Sequence, residues 1–122
     1  MILDTSAIAA VLFRERPGQR IMEIMQAGSN LRMSTVNLAE LLIVANRTGK
    51  AGAKEVEELL LRAGVSFWAP DENVSRIAAS ARARFPINFG DCFCYALAIL
   101  EGDEILTLDA EFSKTDAKLV AV

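Results

Sequence analysis

The chain has 122 residues and not one histidine. No imidazole is therefore available as a general base or as a metal ligand. Cysteine is scarce: Cys92 and Cys94 stand one residue apart in a helical pattern. That spacing is neither a CxxC redox pair nor a zinc half-site, so both are expected as small buried hydrophobes without a structural disulfide. No apolar run reaches the ~18 residues that a membrane span needs. The opening MILDTSAIAAVLFRERPG lacks a positive leading region and carries an aspartate inside its apolar stretch. It is not expected to act as a signal peptide, and the cytoplasm is the expected location. A basic excess is missing too: 13 Lys and Arg face 16 Asp and Glu, a net charge of −3. The broad basic face of a typical nucleic-acid binder is thereby excluded, and any anionic partner must be held by local Arg or Lys clusters or by metal ions. Repeats, linkers and low-complexity stretches are also lacking.

What is present is apolar material, 52% of the chain. It suffices for one domain, residues 1–122, with a sizeable core, and leaves some over for an interface. Four acids interrupt or end its apolar segments: Asp4 in MILD, Glu40 in VNLAELLIV, Asp91 in NFGDCFCYALAIL and Asp109 in EILTLD. Apolar segments go inward, so these carboxylates are carried to the core or its rim, where charge is costly unless neutralised. Hard oxygen donors without imidazole point to a divalent cation such as Mg²⁺ or Mn²⁺.

Short strands are expected at 1–3, 31–33, 65–68, 104–108 and 119–122. Helices are expected at 7–13, from Pro17 to Gly28, at 36–46, 53–62, from Pro70 to about 84, and at 91–100. Residues 85–90 are expected as a loop, and a short helical turn is expected around Phe112. Strands alternating with helices imply an α/β fold with a parallel sheet covered on both faces and right-handed crossovers. Sites in such sheets form outside the carboxyl ends of the strands, where all four acids could converge.

Each acid has a plainer explanation. Asp4, Asp91 and Asp109 can all serve as helix caps or first-turn acids. Glu40 cannot, because its helix is apolar nearly all round and an unpartnered buried glutamate would be neutralised. Carboxylates sharing a pocket repel by roughly 4 kcal/mol per pair at 4 Å and an effective dielectric of 20, a penalty that a bound cation removes. Thr5, Ser6 and Thr107 lie beside the acids and are candidates to orient them, against ordinary turn chemistry. Arg82, Arg84 and Arg14 are candidate RNA contacts, against the alternative of solvated helix faces. Phe85 and Phe89 are candidate base-stacking groups, and Phe93 is expected to pack on the sheet.

Four segments in this order, MILDTSAIAAVL, STVNLAELLIV, INFGDCFCYALA and EILTLDAEFSKTD, resemble the motifs of PIN-domain ribonucleases, and most closely the VapC-type toxins of toxin–antitoxin pairs. The resemblance covers nearly the whole chain. It implies a three-layer α/β/α sandwich around a mainly parallel sheet, and Mg²⁺- or Mn²⁺-dependent endonuclease action on RNA by a metal-activated water. It implies Asp4 and Asp91 as principal metal ligands, Glu40 as a ligand or an orienting group, and Asp109 as a fourth acid of variable involvement. It further implies a cognate antitoxin, whose carboxyl-terminal segment inserts a basic side chain into the acidic cleft, and a homodimer.

Two other classes compete. An aspartate-nucleophile phosphatase needs a second aspartate two residues after the first, but Thr5 and Ser6 follow Asp4. A phospho-accepting receiver needs an adjacent acidic pair near the first strand and a late lysine, a pattern this chain lacks. A non-catalytic binding module on the same fold is opposed by the intact acids.

Overall fold

The computed structural model describes residues 1–49 and 51–122. Four short strands, β1 (Ile2–Leu3), β2 (Arg32–Ser34), β3 (Ser66–Trp68) and β4 (Ile105–Leu106), form one sheet in the order β3-β2-β1-β4. Every pairing is parallel. Parallel neighbours need long crossovers, and helices supply them. Helices α1 (Thr5–Leu12) and α2 (Gly18–Ala27) link β1 to β2. Helices α3 (Thr35–Thr48) and α4 (Ala53–Arg62) link β2 to β3, and α5 (Glu72–Arg84) and α6 (Phe89–Glu101) carry the chain to β4. A 3₁₀ turn, Ala110–Lys114, follows. The chain is thus the α/β/α sandwich with a parallel sheet that the sequence implies.

The pleat divides the core. Leu3, Met33 and Leu106 face one way, into a cluster with Ile8, Ile21, Met25, Leu41, Val56 and Leu60 from α1 to α4. Ile2 and Ile105 face the other way, among Ala78, Ala81, Tyr95, Leu97 and Phe112. Successive strand residues alternate sides, so a two-residue strand serves both layers. Each fully buried Leu or Ile contributes about 1.5–3 kcal/mol.

The element boundaries differ from expectation where side chains capture backbone groups. Helix α1 begins at Thr5 because Asp4 is its N-cap, accepting from Ser6 N at 3.3 Å. Helix α6 begins at Phe89, inside the expected loop, because Asn88 caps it. Asp91 therefore lies in the first turn rather than opening the helix. Strand β4 stops after Leu106, short of the expected 104–108. Leu108 N donates instead to Ser6 Oγ at 2.9 Å, and Asp109 N to Thr107 Oγ1 at 3.0 Å, so hydroxyls replace the ladder there. The expected strand at 119–122 is reduced to one parallel bridge, Ile105 to Leu119.

Strand order reverses direction at β1: β2 and β3 lie to one side and β4 to the other. The crevice at such a switch point, beyond the carboxyl ends of β1 and β4, is the natural site of an open parallel sheet. The register Leu3 to Leu106 sets Asp4 level with Thr107 across that crevice.

Candidate active site

Asp4 follows β1 directly and is 2% exposed. Three donors converge on its Oδ2: Ser6 Oγ at 2.6 Å, Thr107 Oγ1 at 2.8 Å and Ser6 N at 3.3 Å. Burial still outweighs these hydrogen bonds and raises its pKa above the usual carboxylate value. The two hydroxyls belong to one network that stitches α1 to the turn after β4. Ser6 and Thr107, two of the expected supporting residues, thus both hydrogen-bond Asp4, and Thr107 is itself buried.

Asp91 sits in the first turn of α6 as the third-position partner of a capping box. Its backbone N–H donates to Asn88 Oδ1 at 3.1 Å, and its Oδ2 accepts from Asn88 N at 3.3 Å. A first-turn acid is favoured by the helix dipole. Asp91 is nevertheless pushed up to about 7, first by burial and then by the charges of Asp4, Asp109 and Glu40. Asp91 therefore feels the charges of the other three acids, although the four come from four separate segments.

Glu40 projects from the second turn of α3 and is half-buried. Its Oε1 accepts from Thr5 Oγ1 at 3.0 Å and from Asn37 Nδ2 at 2.8 Å. Asp109 is half-buried and caps the 3₁₀ turn, accepting from Glu111 N at 2.9 Å. Among the described residues none of the four acids is in a salt bridge, and the ion pairs of the molecule lie elsewhere.

This donor set is all oxygen, hard and unneutralised, which matches Mg²⁺ or Mn²⁺. No three acids among the described residues are drawn together tightly enough to form a ready cage. Asp91 is raised by burial first and by the charges of the other three acids second. The residues fit a cation in the chemistry of their donors.

The arginines divide. Arg82 lines a groove of about 440 Å³ between α5 and α6 with Phe89, Cys92 and Phe93, on the flank of the helix that carries Asp91. Arg84 is committed elsewhere: it reaches Asp116 Oδ2 at 3.5 Å and lies over the Phe85 ring. Arg14 follows the far end of α1, about 12 Å of helix from Asp4 at 1.5 Å per residue, on a cleft shared with α2. Phe89 is 73% exposed and packs edge-on against Phe93, whereas Phe85 packs on Tyr95. Cys92 and Cys94 are buried and free, as expected.

Sequence reasoning missed Asn37, Gly90 and Asn88. Asn37 is fully buried and joins Glu40 to the Gly90 carbonyl, 3.1 Å away. The signal was available: Asn37 is a polar residue one turn before Glu40 in the same apolar helix, open to the argument that singled out Glu40.

Comparison with known proteins supports this architecture. A family model described as PIN domain matches residues 1–118. Ribonuclease VapC30 of Mycobacterium tuberculosis is 33% identical over 130 residues, covering 100% of this chain and 99% of the relative. The crystal structure of VapC20 from the same organism, described as a sarcin–ricin loop cleaving toxin, superposes with a TM-score of 0.83 at 17% identity, covering 99% of this chain and 98% of that one. A toxin–antitoxin complex from Klebsiella pneumoniae contains a chain that superposes with a TM-score of 0.75 at 16% identity, covering 98% and 95%. At those identities the two structures speak to fold alone.

Proposed function

The chain belongs to the PIN-domain family, and on that footing we propose that it is a VapC-type endoribonuclease, the toxin of a toxin–antitoxin pair, dependent on Mg²⁺ or Mn²⁺. One observation carries the proposal: Asp91 is pushed up to about 7, first by burial and then by the charges of Asp4, Asp109 and Glu40, which come from three other segments of the chain.

Asp4 and Asp91 would hold the ion, because they are the most buried of the four acids. When bound, the cation supplies Lewis acidity at the scissile phosphate and lowers the pKa of an attacking water. The chain supplies position and proton handling. Ser6 and Thr107 fix the Asp4 carboxylate through Oδ2. Glu40, whose Oε2 takes no hydrogen bond among the described residues, would orient the attacking water or accept its proton. Asp109 is the second candidate for that proton, its Oδ1 being occupied by Glu111 N. Arg82 and the exposed Phe89 lie on the flank along which an RNA strand would run.

The same acidic crevice suits a basic side chain of a cognate antitoxin, which would compete with the cation for one negative field. Exposed Ile43, Phe89, Ile99 and Leu100 offer apolar material for a homodimer. Among the described residues no helix is long and apolar enough to cross a membrane. A cytoplasmic location completes the proposal.

The test is direct. Purified protein, free of partner, is expected to cut RNA with Mg²⁺ or Mn²⁺ and to stop in chelator. Undiminished cutting in chelator would overturn the metal dependence, and no cutting with either ion would overturn the nuclease reading.

A further inference from the structure

Asn37 is 0% exposed and stands between two elements of the site. Its amide nitrogen donates to Glu40 Oε1 at 2.8 Å and to the Gly90 carbonyl at 3.1 Å. Its Oδ1 is equally buried and accepts no hydrogen bond from the described residues. A buried acceptor without a partner is costly, and an apolar side chain of similar volume would avoid that cost. Stability alone is therefore a poor reason for an asparagine here.

Gly90 completes the arrangement. A Cβ added to it would stand 2.0 Å from Glu40 Oε2, 2.2 Å from Cδ and 2.3 Å from Oε1. The Glu40 carboxylate lies where any other side chain at position 90 would begin. Thr5 Oγ1 donates to the same Oε1 at 3.0 Å, so α1, α3 and α6 all bear on one carboxylate.

We propose that Asn37 and Gly90 are positioning residues that clasp Glu40, committing its Oε1 and presenting its Oε2 to the cation. Asn37 grips and Gly90 makes room. The chemistry explains why the grip is neutral. Asp91 and Glu40 carry like charges that act on each other, and an unheld glutamate on a helix would swing toward solvent. A lysine or arginine would hold it but cancel the negative charge that attracts the ion. An amide holds the geometry and leaves the charge intact. Groups behind metal ligands commonly change metal affinity or activity by about 10–100-fold when removed.

The role rests on the metal-dependent reading above, and its test separates the two. Mn²⁺ binding is measured by titration calorimetry on folded protein, without RNA, for the unaltered chain and for Asn37→Leu, Gly90→Ala and Glu40→Gln. Asn37→Leu and Gly90→Ala are each expected to weaken Mn²⁺ binding by about 10-fold or more. Combined with Glu40→Gln, neither is expected to weaken it further, because both act through that carboxylate. Leu41→Ala, a core change in the same helix, is expected to lower the melting temperature and leave Mn²⁺ affinity unchanged. Unchanged affinity in both folded variants, or effects that add fully to Glu40→Gln, would overturn the clasp alone. Failure of the unaltered chain to bind Mn²⁺ would overturn the metal reading and the clasp with it. If Asn37→Leu does not fold, Gly90→Ala and Asn37→Ser decide the matter.

Discussion

At the amino edge of the sheet, Glu101 and Asp103 each lie 2.7 Å from the Arg32 guanidinium, and Asp103 also meets the amino-terminal ammonium. Toward the carboxyl edge, Asp91 feels the charges of Asp4, Asp109 and Glu40, and none of the four is in a salt bridge among the described residues. Burial works to raise Asp103, but hydrogen bonds from the ammonium and Arg32 outweigh it and bring the carboxyl down to about 2. Burial works in the same direction on Asp91, where the neighbouring charges add to it, and the carboxyl rises to about 7. The sheet thus holds acids in two states. Those at the amino edge are spent on structure, and those at the carboxyl edge remain available to a cation.

The comparison breaks most sharply in catalysis. Asp4→Asn and Asp91→Asn are each expected to lower metal-dependent RNA cleavage by about 100-fold or more while the circular dichroism spectrum stays native. Retained cleavage in both would show that the unneutralised acids are not the working ones. Next in size is a change at the paired edge. Arg32 is 7% exposed with its guanidinium carbon over the Trp68 ring, and Arg32→Met takes an ion-pair partner from both Glu101 and Asp103, the latter keeping the amino-terminal ammonium. Because those carboxylates are partly solvated, the expected loss is about 2–3 kcal/mol by urea unfolding, below the full cost of breaking a buried pair. Cleavage is expected to survive at temperatures where the variant is folded.

The pH dependence of the metal-free protein sharpens the same contrast, with opposite signs at the two edges. Asp103 has a folded pKa of about 2, below its ordinary 3.8, so its stabilisation is present above 3.8 and lost as pH falls toward 2. Asp91 has a folded pKa of about 7, above 3.8, so the native state holds a proton that the unfolded chain has released, and stability declines as pH rises from 3.8 through 7. Melting temperatures across that range are expected to fall in chelator and to recover with Mn²⁺. Asp91→Asn should flatten the upper limb; a limb unchanged in that variant would assign it to another group. The smallest effect is expected from Thr107→Val, which removes one hydrogen bond to Asp4 and the acceptor of Asp109 N, a loss of about 1–2 kcal/mol by urea unfolding.

Much of the fold was legible because its signals are local. Apolar periodicity placed six helices and five strands, of which the last, at 119–122, is reduced to one bridge. Helix α4 matched its expected 53–62, since Val56 and Leu60 are buried on a face opposite charged neighbours. Boundaries moved where a side chain outcompeted the ladder, as when the Ser6 and Thr107 hydroxyls ended β4 after Leu106. The acids were legible as charges in apolar surroundings. Asn37 was not singled out, because one neutral polar residue in a helix carries no charge to flag its cost. Gly90 was missed because its role, leaving room for Glu40, depends on a neighbour 50 residues away in the chain.

The sequence by itself determined which donors the site has and what their charge costs. A chain without histidine that carries carboxylates inside apolar segments offers hard oxygen donors there, because composition sets the available groups and apolar context sets the cost of their charge. The tertiary structure decided which acids are spent and which are left. Asp103 and Asp91 are the same residue type, and both are partly withdrawn from water. Only the parallel register and the reversal of strand order at β1 bring Arg32 and the amino terminus to Asp103, while among the described residues no salt bridge reaches Asp91. Charge interacts through space, so its consequences follow the fold rather than the order of residues.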